Sequence, residues 1–493
     1  MTNNSTNVAK TYSHVGVAQI YPWRPHGAQR DFLLRLARNA GYKTSELVCH
    51  GSLTHCYDKL YQTVGWGGID HCIKCRLGGA KEKDGTQKFS LDWSKRDQAV
   101  EGERAAMLSN MAAIVRAEIH DDLSVAKEQL GILQAYRVGY HSTLRWIEEL
   151  GVDLILLFNG RIDILRGVMD AARFAGVDFA SYERSWFGRG IMVVPNENCL
   201  ALHHIHEIGR KSAAIELTDS EIANAEGIIR QRVERLGSNE WRDFQKKGED
   251  NHPNPGDAGM GAEYILVLPS SSYEIWGHPD WEIGWRDNFE ALDWLREKLG
   301  VPWARWCIRG HPIWGQRVGR NFGDNAERHY MNFCEARGIR YIPASSPLRT
   351  PDLIDASELI VVNAGSSVID AIWRGKPTIS LSQSVYRDWG MCPTALSPDT
   401  EIHIPDDATR RRQLVKFIHA MDRLIPTFVD HMLPKSSAEQ LHFEGANFQD
   451  IIAQIQLNTL LPPNKNTAPV GDPIIWPSRF VERARSLVRM GDS

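Results

Sequence analysis

The sequence predicts an α/β protein made of two doubly wound parallel-sheet domains. Short apolar runs of strand length alternate with helical stretches between residues 15 and 182, and again, more regularly, between residues 264 and 381. A polar helical connector, 216–247, and a linker rich in Gly, Pro and Asn, 248–261, separate the two series. Because strands that alternate with helices pair in parallel, each series predicts one sheet with helices on both faces.

The individual elements follow from the apolar runs and the amphipathic stretches between them. In the first series, strands are predicted at 15–21, 45–49, 153–158 and 177–182, and helices at 30–41, 98–131 and 161–174. In the second, strands are predicted at 264–268, 303–308, 339–342, 359–362 and 378–381, and helices at 288–299, 325–337, 349–357 and 367–373. The resulting units are a first domain at 1–215, a connector and linker at 216–261, a second domain at 262–435 and a C-terminal segment at 436–493. An amphipathic helix is predicted at 477–489, with Pro477 suited to its first turn.

Composition narrows the class of protein. A chain of 493 residues is long enough for about two domains, and 42% hydrophobic with 24% charged residues is ordinary for a globular enzyme. The formal net charge of −4 argues against a nucleic-acid partner. No apolar run reaches the length of a transmembrane span, and the first residues lack the basic and apolar regions of a signal peptide. A cytoplasmic protein without a transmembrane segment is expected.

The turn after the predicted strand 359–362 has the chemistry of an anion site. Asn363, Ala364 and Gly365 lead into Ser366 and Ser367, which open a short helix. Backbone N–H groups in the first helical turn have no intrahelical partner, the helix dipole is positive there, and the hydroxyls can donate to phosphate oxygens. The alternative is that the serines only cap the helix, because Ser before an apolar helix is common whatever the function.

A second turn lies at the same predicted sheet edge. Arg309, Gly310, His311 and Pro312 follow the apolar run 303–308, so His311 comes just after the carboxyl end of a strand. Doubly wound sheets bind their ligands at this edge. The two turns are therefore expected to contribute to one site.

Taken together, these turns resemble a known family. His311-Pro312, a strand that ends in Ser366-Ser367, a small helix and Gly375-Lys376-Pro377 are similar to the donor half of the GT-B glycosyltransferases that build bacterial surface polysaccharides. The capsule-synthesis proteins and the transferases that use CMP-activated sialic acid or Kdo are the nearest in pattern, and the resemblance covers roughly residues 260 to 390.

The resemblance implies a GT-B-like fold, with two Rossmann-like domains facing a cleft and the helix at 477–489 crossing back to the first domain. It also implies site residues. The His-Pro and Ser-Ser elements would hold the nucleotide phosphate through His311, Pro312, Ser366 and Ser367. Further candidates for donor binding are Arg309, Asn363, Asp370 and Arg161, and His311 is also a candidate catalytic residue. Charge on the departing phosphate would be stabilised by these groups, and no catalytic metal is expected.

The first domain contains a matching turn, Asn159-Gly160-Arg161, directly after a predicted buried strand. Asn-Gly tolerates positive φ and places Arg161 at a helix start, where a cation is disfavoured unless it meets an anion. The alternative is an ordinary βα turn with an exposed Arg. This turn, with a later strand that ends at Glu183, resembles the acceptor half of capsule-type transferases. Glu183 is the predicted general base for the acceptor hydroxyl, and Asp163 is the second choice.

Four cysteines, Cys49, Cys56, Cys72 and Cys75, lie within twenty-seven residues. A closely spaced thiolate set that ends in Cys-x2-Cys indicates a tetrahedral structural zinc site. The first spacing, x6, is longer than in common zinc ribbons. Reduced free cysteines, or a redox or cluster role, are the alternatives. The run His203-His204-x-His206-Glu207 favours a structural or acceptor-binding role over a second metal site.

The predicted function is that of a glycosyltransferase. It would move a sugar from a nucleotide-sugar donor, CMP-linked or UDP-linked, to a glycan or glycolipid acceptor in surface polysaccharide synthesis, and peripheral association with the inner membrane stays open. One alternative is a sugar-nucleotide epimerase or hydrolase of the same fold. Another is a non-catalytic protein that binds glycan and assists polymer assembly.

Overall fold

Two sheets, one from each half of the sequence, organise the protein. The computed structural model describes residues 11–21, 26–51, 56–61, 69–80, 85–116, 118, 126–184, 191–212, 214–234, 256, 263–315, 323–423 and 448–458. The first sheet has the order β3-β2-β1-β4-β5-β6 and consists of β1 (His14–Ala18), β2 (Lys43–Val48), β3 (Thr86–Ser90), β4 (Leu154–Phe158), β5 (Asp178–Arg184) and β6 (Ile191–Pro195). All its strands are parallel to their neighbours except β6, which is antiparallel to β5.

The second sheet is entirely parallel. Its order is β11-β10-β7-β8-β9, with β7 (Ile265–Leu268), β8 (Trp306–Arg309), β9 (Arg340–Ile342), β10 (Leu359–Val362) and β11 (Thr378–Ser380). In each sheet the first strand is central, and the chain builds outward on one side before it returns to the other. This order confirms the predicted α/β class with two doubly wound, Rossmann-like sheets. It also puts a topological switch point beside β1 in the first sheet and beside β7 in the second.

Helices cover the sheets. They are α1 (His26–Asn39), α2 (Tyr57–Tyr61), α3 (Ile69–Ala80), α4 (Glu103–Ala106), α5 (Leu108–Val115), α6 (Ala126–Leu150), α7 (Asp163–Phe174), α8 (His203–Ser212), α9 (Asp219–Val233), α10 (Asn288–Leu299), α11 (Gly323–Arg337), α12 (Thr350–Ala356), α13 (Ser367–Trp373), α14 (Asp407–Arg423) and α15 (Phe448–Leu457). Short 3-10 turns lie between several of them. Within the described residues, no helix is both long enough and apolar enough to cross a lipid bilayer.

One predicted helix is wrong. The stretch 98–131 is not continuous, because α5 ends at Arg116, whose φ is +49°, and α6 begins only at Ala126. A side chain with positive φ cannot continue a right-handed helix. Helix α5 packs against α2, α4 and α6 and contributes Ala112, Ala113 and Val115 to the core of the first domain.

The two faces of the second sheet are buried in different cores. Ile265 and Val267 of β7 face one core, which includes α10 and α11, while Leu266 and Leu268 face the other, which includes α13 and α14. Alternation of side chains along a strand produces this division. Helices α8 and α9 precede the second sheet in sequence. Their side chains, including Ile205 and Ile229, are nevertheless buried in the core that includes α13 and α14, which we call the second core.

The C-terminal segment returns to the first domain through α15. Phe448 and Ile451 are buried in the first core, the rings of Phe448 and Tyr42 lie 5.1 Å apart, and Gln449 Nε2 donates to the Tyr42 hydroxyl at 3.2 Å. The helix predicted at 477–489 lies outside the described residues. Within them, the element that packs on the first domain begins about thirty residues earlier in the chain than predicted.

The segment 272–277, which follows β7, ties the two domains together. Tyr273 is 1% exposed and lies in the core of the first domain, and the N–H of Ser272 donates to the Glu118 carboxylate at 3.2 Å. Gly277 lies against Ser109, whose backbone nitrogen would be 3.1 Å from a Cβ at that position. A loop from the second sheet is thus buried in the first domain.

Helices α6 and α7 approach each other closely at two glycines. A Cβ added at Gly167 would overlap the carbonyl oxygen of Tyr136 and lie 2.7 Å from the nitrogen of Tyr140, and one added at Gly139 would overlap the carbonyl oxygen of Ile164. The backbones are therefore in direct contact there. This contact holds α7 on the first sheet, directly after the turn that contains Asn159.

Candidate functional site

The loops that follow β7 and β10 meet at the switch point of the second sheet. Ser270 donates its N–H to Asn363 Oδ1, and Asn363 Nδ2 donates back to the carbonyl oxygen of Ser270 at 3.2 Å. Asn363 therefore uses both ends of its amide to join the loops. Asn363 was predicted to contact the donor. Because both ends of its amide bond to Ser270, the structure instead gives it a supporting role.

Two hydroxyl groups converge beside Gly365. A Cβ at this position would lie 2.7 Å from Ser270 Oγ and 3.3 Å from Ser367 Oγ, so only glycine leaves the space between them open. The preceding Ala364 has a φ of +66°, which a β-carbon resists and which sharpens the turn. In the described part of the chain, neither Ser270 Oγ nor Ser367 Oγ has a hydrogen-bond partner within the protein.

Ser366 does not act as a side-chain cap of α13. It occupies the N-cap position with helical backbone angles, and its hydroxyl makes no capping hydrogen bond. The hydroxyl instead accepts a hydrogen bond from Arg232 Nη2 at 3.0 Å, and Arg232 Nε lies 3.3 Å from the carboxylate of Asp370. The simple capping alternative for Ser366 therefore does not describe its hydrogen bonding. Sequence reasoning missed Arg232, which lies 134 positions before Ser366.

His311 and Pro312 lie on the other side of β7. Pro312 begins the 3-10 turn Pro312–Gly315, and the N–H of Ile313 donates to His311 Nδ1 at 3.3 Å. With Nδ1 as acceptor, the proton of a neutral ring is on Nε2. Trp314 Nε1 donates to Ser271 Oγ at 3.0 Å and fixes this turn to the loop after β7. Neighbouring strands are about 4.8 Å apart, so the His311 and Ser366 loops, on either side of β7, are separated by roughly 10 Å.

Arg309 contacts protein rather than open space. Its guanidinium donates to the carbonyl oxygens of Pro343 and, at 3.2 Å, of Ser346, and the residue is only 7% exposed. Burial lowers the pKa of Arg309. The predicted donor contact does not fit this geometry, because the guanidinium is occupied in holding the loop after β9.

In the first domain, the predicted base occupies the expected edge. Glu183 lies opposite Asn159 in the register of β5 and β4, one residue beyond the Tyr182 and Phe158 pair. Asn159 Nδ2 donates to Glu183 Oε2 at 2.7 Å, and the N–H of Arg184 donates to Glu183 Oε1 at 2.9 Å. Asn159 has a φ of +63°, and its Oδ1 accepts the N–H of Arg161 at 3.0 Å. The turn thus holds the half-buried carboxylate in a fixed orientation.

His26, at the first position of α1, is a residue of this edge that sequence reasoning did not select. Its ring lies 4.0 Å from the Phe158 ring, and its Nδ1 is 2.9 Å from Gln29 Oε1. Burial lowers the pKa of His26, while the negative charge of Glu183 opposes that shift. A histidine that is neutral at physiological pH therefore lies within electrostatic reach of the predicted base. The only sequence signal was a His-Gly pair before an amphipathic helix.

Arg161 lies where the two sheet edges come together. Its Nη1 is 3.4 Å from Ser109 Oγ. Burial lowers the pKa of its guanidinium, but the charges of Tyr57, Cys199 and Glu274 raise this pKa by more. The net result is a raised pKa. Glu274 belongs to the loop after β7. The charge of a carboxylate in the loop after β7 therefore acts on a cation at the edge of the first sheet.

Asp163 does not lie at this edge as an accessible base. Its carboxylate is fully buried and accepts hydrogen bonds from the Tyr21 hydroxyl and, at 2.6 Å, from the N–H of Tyr57. Burial raises the pKa of Asp163 to about 6. This carboxylate has no solvent contact, and its oxygens are already hydrogen-bonded, so it cannot reach an acceptor hydroxyl. Asp163 therefore anchors α7 and does not fit the role of alternative base.

The structure gives no support for the predicted zinc site at the four cysteines. Among the described residues, which include all four, no group of three or more Cys, His, Asp or Glu side chains is arranged to hold a metal ion. None of the four forms a disulfide. The zinc prediction is therefore unsupported by the structure.

The His203, His204 and His206 run lies on helix α8, not on a strand or loop. His206 Nε2 lies 2.7 Å from the carbonyl oxygen of Ser384, and His203 Nδ1 lies 3.3 Å from Asp280 Oδ2. Asp280 also accepts the N–H of Leu202 at 2.7 Å, so it caps α8 from the loop after β7. The three histidines therefore serve the packing of α8 on the second domain.

We expect His204 to make the folded state sensitive to acid. Burial, with a smaller contribution from the charge of His203, lowers the pKa of His204 from 6.5 to about 4. Between these values the unfolded chain binds a proton that the folded chain does not, so stability is lost as the pH falls from 6.5 toward 4. Asp163 acts in the opposite sense, because its raised pKa favours proton uptake by the folded state below about pH 6.

The free energy of unfolding, measured by urea titration at several pH values from 7.5 downward, checks this expectation. His204→Leu should reduce the loss of stability between pH 6.5 and 4, and the exposed His403→Leu should keep the wild-type pH dependence. An identical slope for wild type and His204→Leu would show that His204 is not the responsible group.

The sequence matches no family model and no curated protein. Similarity to solved structures is distant. A β-Kdo 2,7 transferase, KpsC of Thermosulfurimonas dismutans, is 12% identical with a TM-score of 0.34, over 56% of this chain and 79% of that one. A β-Kdo 2,4 transferase KpsC structure from the same organism is 13% identical with a TM-score of 0.34, over 62% and 88%. A UDP-GlcNAc 2-epimerase of Methanocaldococcus jannaschii is 9% identical with a TM-score of 0.28, over 82% and 98%. At these values the similarity assigns neither family nor function, and the functional conclusion rests on the site.

Proposed function

We propose that the protein is a glycosyltransferase that binds a nucleotide sugar at the switch point of the second sheet. The observation that carries the proposal is the pair of hydroxyls, Ser270 Oγ and Ser367 Oγ, that converge beside Gly365. Neither has a hydrogen-bond partner among the described residues, and the hydroxyl of the adjacent Ser366 is not used as a helix cap. Hydroxyls left open where a doubly wound sheet binds ligands are suited to phosphate oxygens.

The proposed reaction follows from which groups lie at the edge of each sheet. The donor phosphate would be held by the serine hydroxyls, with His311 donating from the other side of β7. As the bond between the sugar and the phosphate oxygen breaks, the bonding electron pair stays on the phosphate, and the growing negative charge strengthens these hydrogen bonds. The acceptor hydroxyl oxygen forms the new bond to the sugar, and its proton passes to Glu183.

Orientation of the base supports this division of roles. A base must have its carboxylate pointing at the acceptor, and the two hydrogen bonds to Glu183, from Asn159 and from the Arg184 N–H, fix that direction. They leave one lone pair on each oxygen for a proton. The donor nucleotide would be CMP or UDP, and the acceptor a glycan or glycolipid of a surface polysaccharide.

The binding half of the proposal is tested by a thermal-shift screen of CMP, UDP and GDP. A ligand that binds the folded state at a hundred times its dissociation constant adds about 2.7 kcal/mol of stability. A nucleotide that raises the melting temperature then becomes the probe for variants. The absence of a shift with every nucleotide and nucleotide sugar would contradict donor binding.

Ser367→Ala and His311→Ala are each expected to weaken binding of that nucleotide. A hydrogen bond to a charged group contributes about 1.5 to 3 kcal/mol, so affinity measured by calorimetry should fall by about tenfold to hundredfold. Ser220→Ala and His403→Ala change exposed residues of the same types away from the switch point and should bind normally. Unchanged affinity in both site variants would remove the phosphate assignment.

Turnover distinguishes the remaining functions. Release of nucleotide with transfer to added glycan supports the transferase. Release or isomerisation without an acceptor would point to a hydrolase or epimerase, and donor or glycan binding without any turnover to a non-catalytic assembly protein.

A further inference from the structure

Among the described residues, Arg232, in the last turn of α9, is the only one whose guanidinium is hydrogen-bonded to a serine hydroxyl of this site, that of Ser366. We infer that Arg232 binds the phosphate of the donor and supplies the positive charge of this site. The inference rests on the proposed function and deepens it, because it adds a residue from outside the strand-end loops. Its basis is the contact of Arg232 with Ser366 and Asp370.

A positive charge is needed because the hydroxyls are neutral. A phosphate with only hydroxyl partners would lose more hydration than these hydrogen bonds return, whereas an arginine forms stronger, charge-assisted bonds with a planar fork of donors. Arg309, the cation expected from the sequence, is committed to the carbonyl oxygens of Pro343 and Ser346. Arg232 is the guanidinium that remains within reach.

The geometry leaves part of this guanidinium available. Nη2 donates to Ser366 Oγ at 3.0 Å and lies 3.4 Å from its carbonyl oxygen, and Nε faces Asp370. No acceptor in the described part of the chain lies within hydrogen-bond distance of Nη1. The side chain is 19% exposed, so it is held in place but still open to a ligand. A phosphate that accepts from the Ser366 hydroxyl would be close enough to accept from Nη1.

Helix α9 gives Arg232 a rigid base. Ala225, Ile229 and Val233 bury the inner face of the helix in the second core, and Asn224 Nδ2 is 3.3 Å from Asp422 Oδ2 of α14. The helix was predicted as a connector between domains. Its packing instead fixes it to the domain that carries the hydroxyls, so Arg232 and the serines move together.

Asp370 acquires a different role from the one predicted. A carboxylate can only accept hydrogen bonds, and beside a phosphate it would repel the ligand. Its 3.3 Å contact with Arg232 Nε instead orients the guanidinium. We therefore assign Asp370 as a positioning residue and not as a contact with the donor phosphate.

The test compares Arg232→Gln, Arg232→Lys and the matched control Arg230→Gln, whose side chain is 56% exposed and pairs with Glu226 on the same helix. The probe is the nucleoside monophosphate whose nucleotide stabilises the wild-type protein, titrated by calorimetry at low and high NaCl. We expect Arg232→Gln to lose at least tenfold in affinity and most of its salt dependence, because salt screens the lost ion pair. Arg232→Lys should recover part of the affinity, and Arg230→Gln should bind as wild type does.

Asp370→Asn provides a separate readout. If Asp370 only orients Arg232, removal of its negative charge should leave affinity for the monophosphate equal or higher. Asp370→Ala, which also removes the acceptor for Arg232 Nε, should lower the affinity, and an unchanged affinity in Asp370→Ala would overturn the positioning role. Melting temperatures of all variants, measured without ligand, identify any loss that comes from misfolding, and the charge-conserving lysine variant then decides the role of Arg232.

Failure of the inference and failure of the proposed function have different signatures. Wild-type affinity and salt dependence in Arg232→Gln, with weakened binding in Ser367→Ala, would overturn the role of Arg232 and leave the transferase proposal intact. A wild-type protein that binds no nucleotide would overturn both.

Discussion

Glu183→Gln should abolish sugar transfer and leave nucleotide binding nearly unchanged. Glutamine keeps the size of the side chain and can still accept a hydrogen bond from Asn159 Nδ2 through its amide oxygen, but it cannot take a proton. A positioned general base contributes about 10²-fold to 10⁴-fold to a rate, so kcat should fall by that factor. The measurement is the initial rate of transfer at saturating donor and acceptor, with donor affinity determined separately by calorimetry.

Glu148→Gln is the matched control, because Glu148 is an exposed glutamate on α6 of the same domain. It should retain both activity and binding. Transfer by Glu183→Gln at a rate close to that of the wild type would take the role of base away from Glu183. His26 would then be the next residue to change, because its neutral ring lies at the same sheet edge.

Gly167→Ala should destabilise the protein strongly. The added Cβ meets backbone atoms of Tyr136 and Tyr140 on α6, and backbone atoms cannot swing away as a side chain can. Overpacking of a core costs about 1 to 3 kcal/mol, and this position belongs at the upper end of that range. The change in the free energy of unfolding, from urea titration followed by circular dichroism, measures the effect.

Gly227→Ala is the same substitution at another position, and we expect it to have the opposite effect on stability. Gly227 lies within α9, and a Cβ there has no atom within 4 Å. Alanine in a helix interior is more stable than glycine by about 0.5 to 1 kcal/mol, so this variant should be slightly more stable than the wild type. Equal effects of the two substitutions would mean that α6 and α7 are not in backbone contact.

The second sheet was predictable from sequence because its strands are short, apolar and regularly spaced. The runs that contain Leu266, Ile308 and Val361 have few polar residues, and polar turns bound them, so periodicity and turn chemistry agree. The first sheet was harder. Strand β3, Thr86–Ser90, has one buried residue, Phe89, and therefore carries almost no apolar signal. The break at Arg116 depends on packing of α5 and has no local breaker residue.

The candidate site was predictable only as a set of positions along the chain. Chain order and the rule for parallel sheets are enough to place Ser366, His311 and Glu183 at strand ends. They do not show what a long side chain contacts. Arg309 donates to carbonyl groups of another loop, and Arg232 reaches Ser366 from a helix 134 positions away in the sequence. Such contacts arise from tertiary packing, and no spacing in one sequence encodes them.

The burial of Tyr273 in the first domain couples movement of the domains to the shape of the loop after β7. The Ser270 hydroxyl lies at the switch point of the second sheet. Three residues later, Tyr273 of the same loop is buried in the core of the first domain. Any rotation of one domain against the other therefore pulls on the segment that shapes the proposed phosphate site. In the proposed transferase, an acceptor that shifts the domains would change donor affinity without touching the donor.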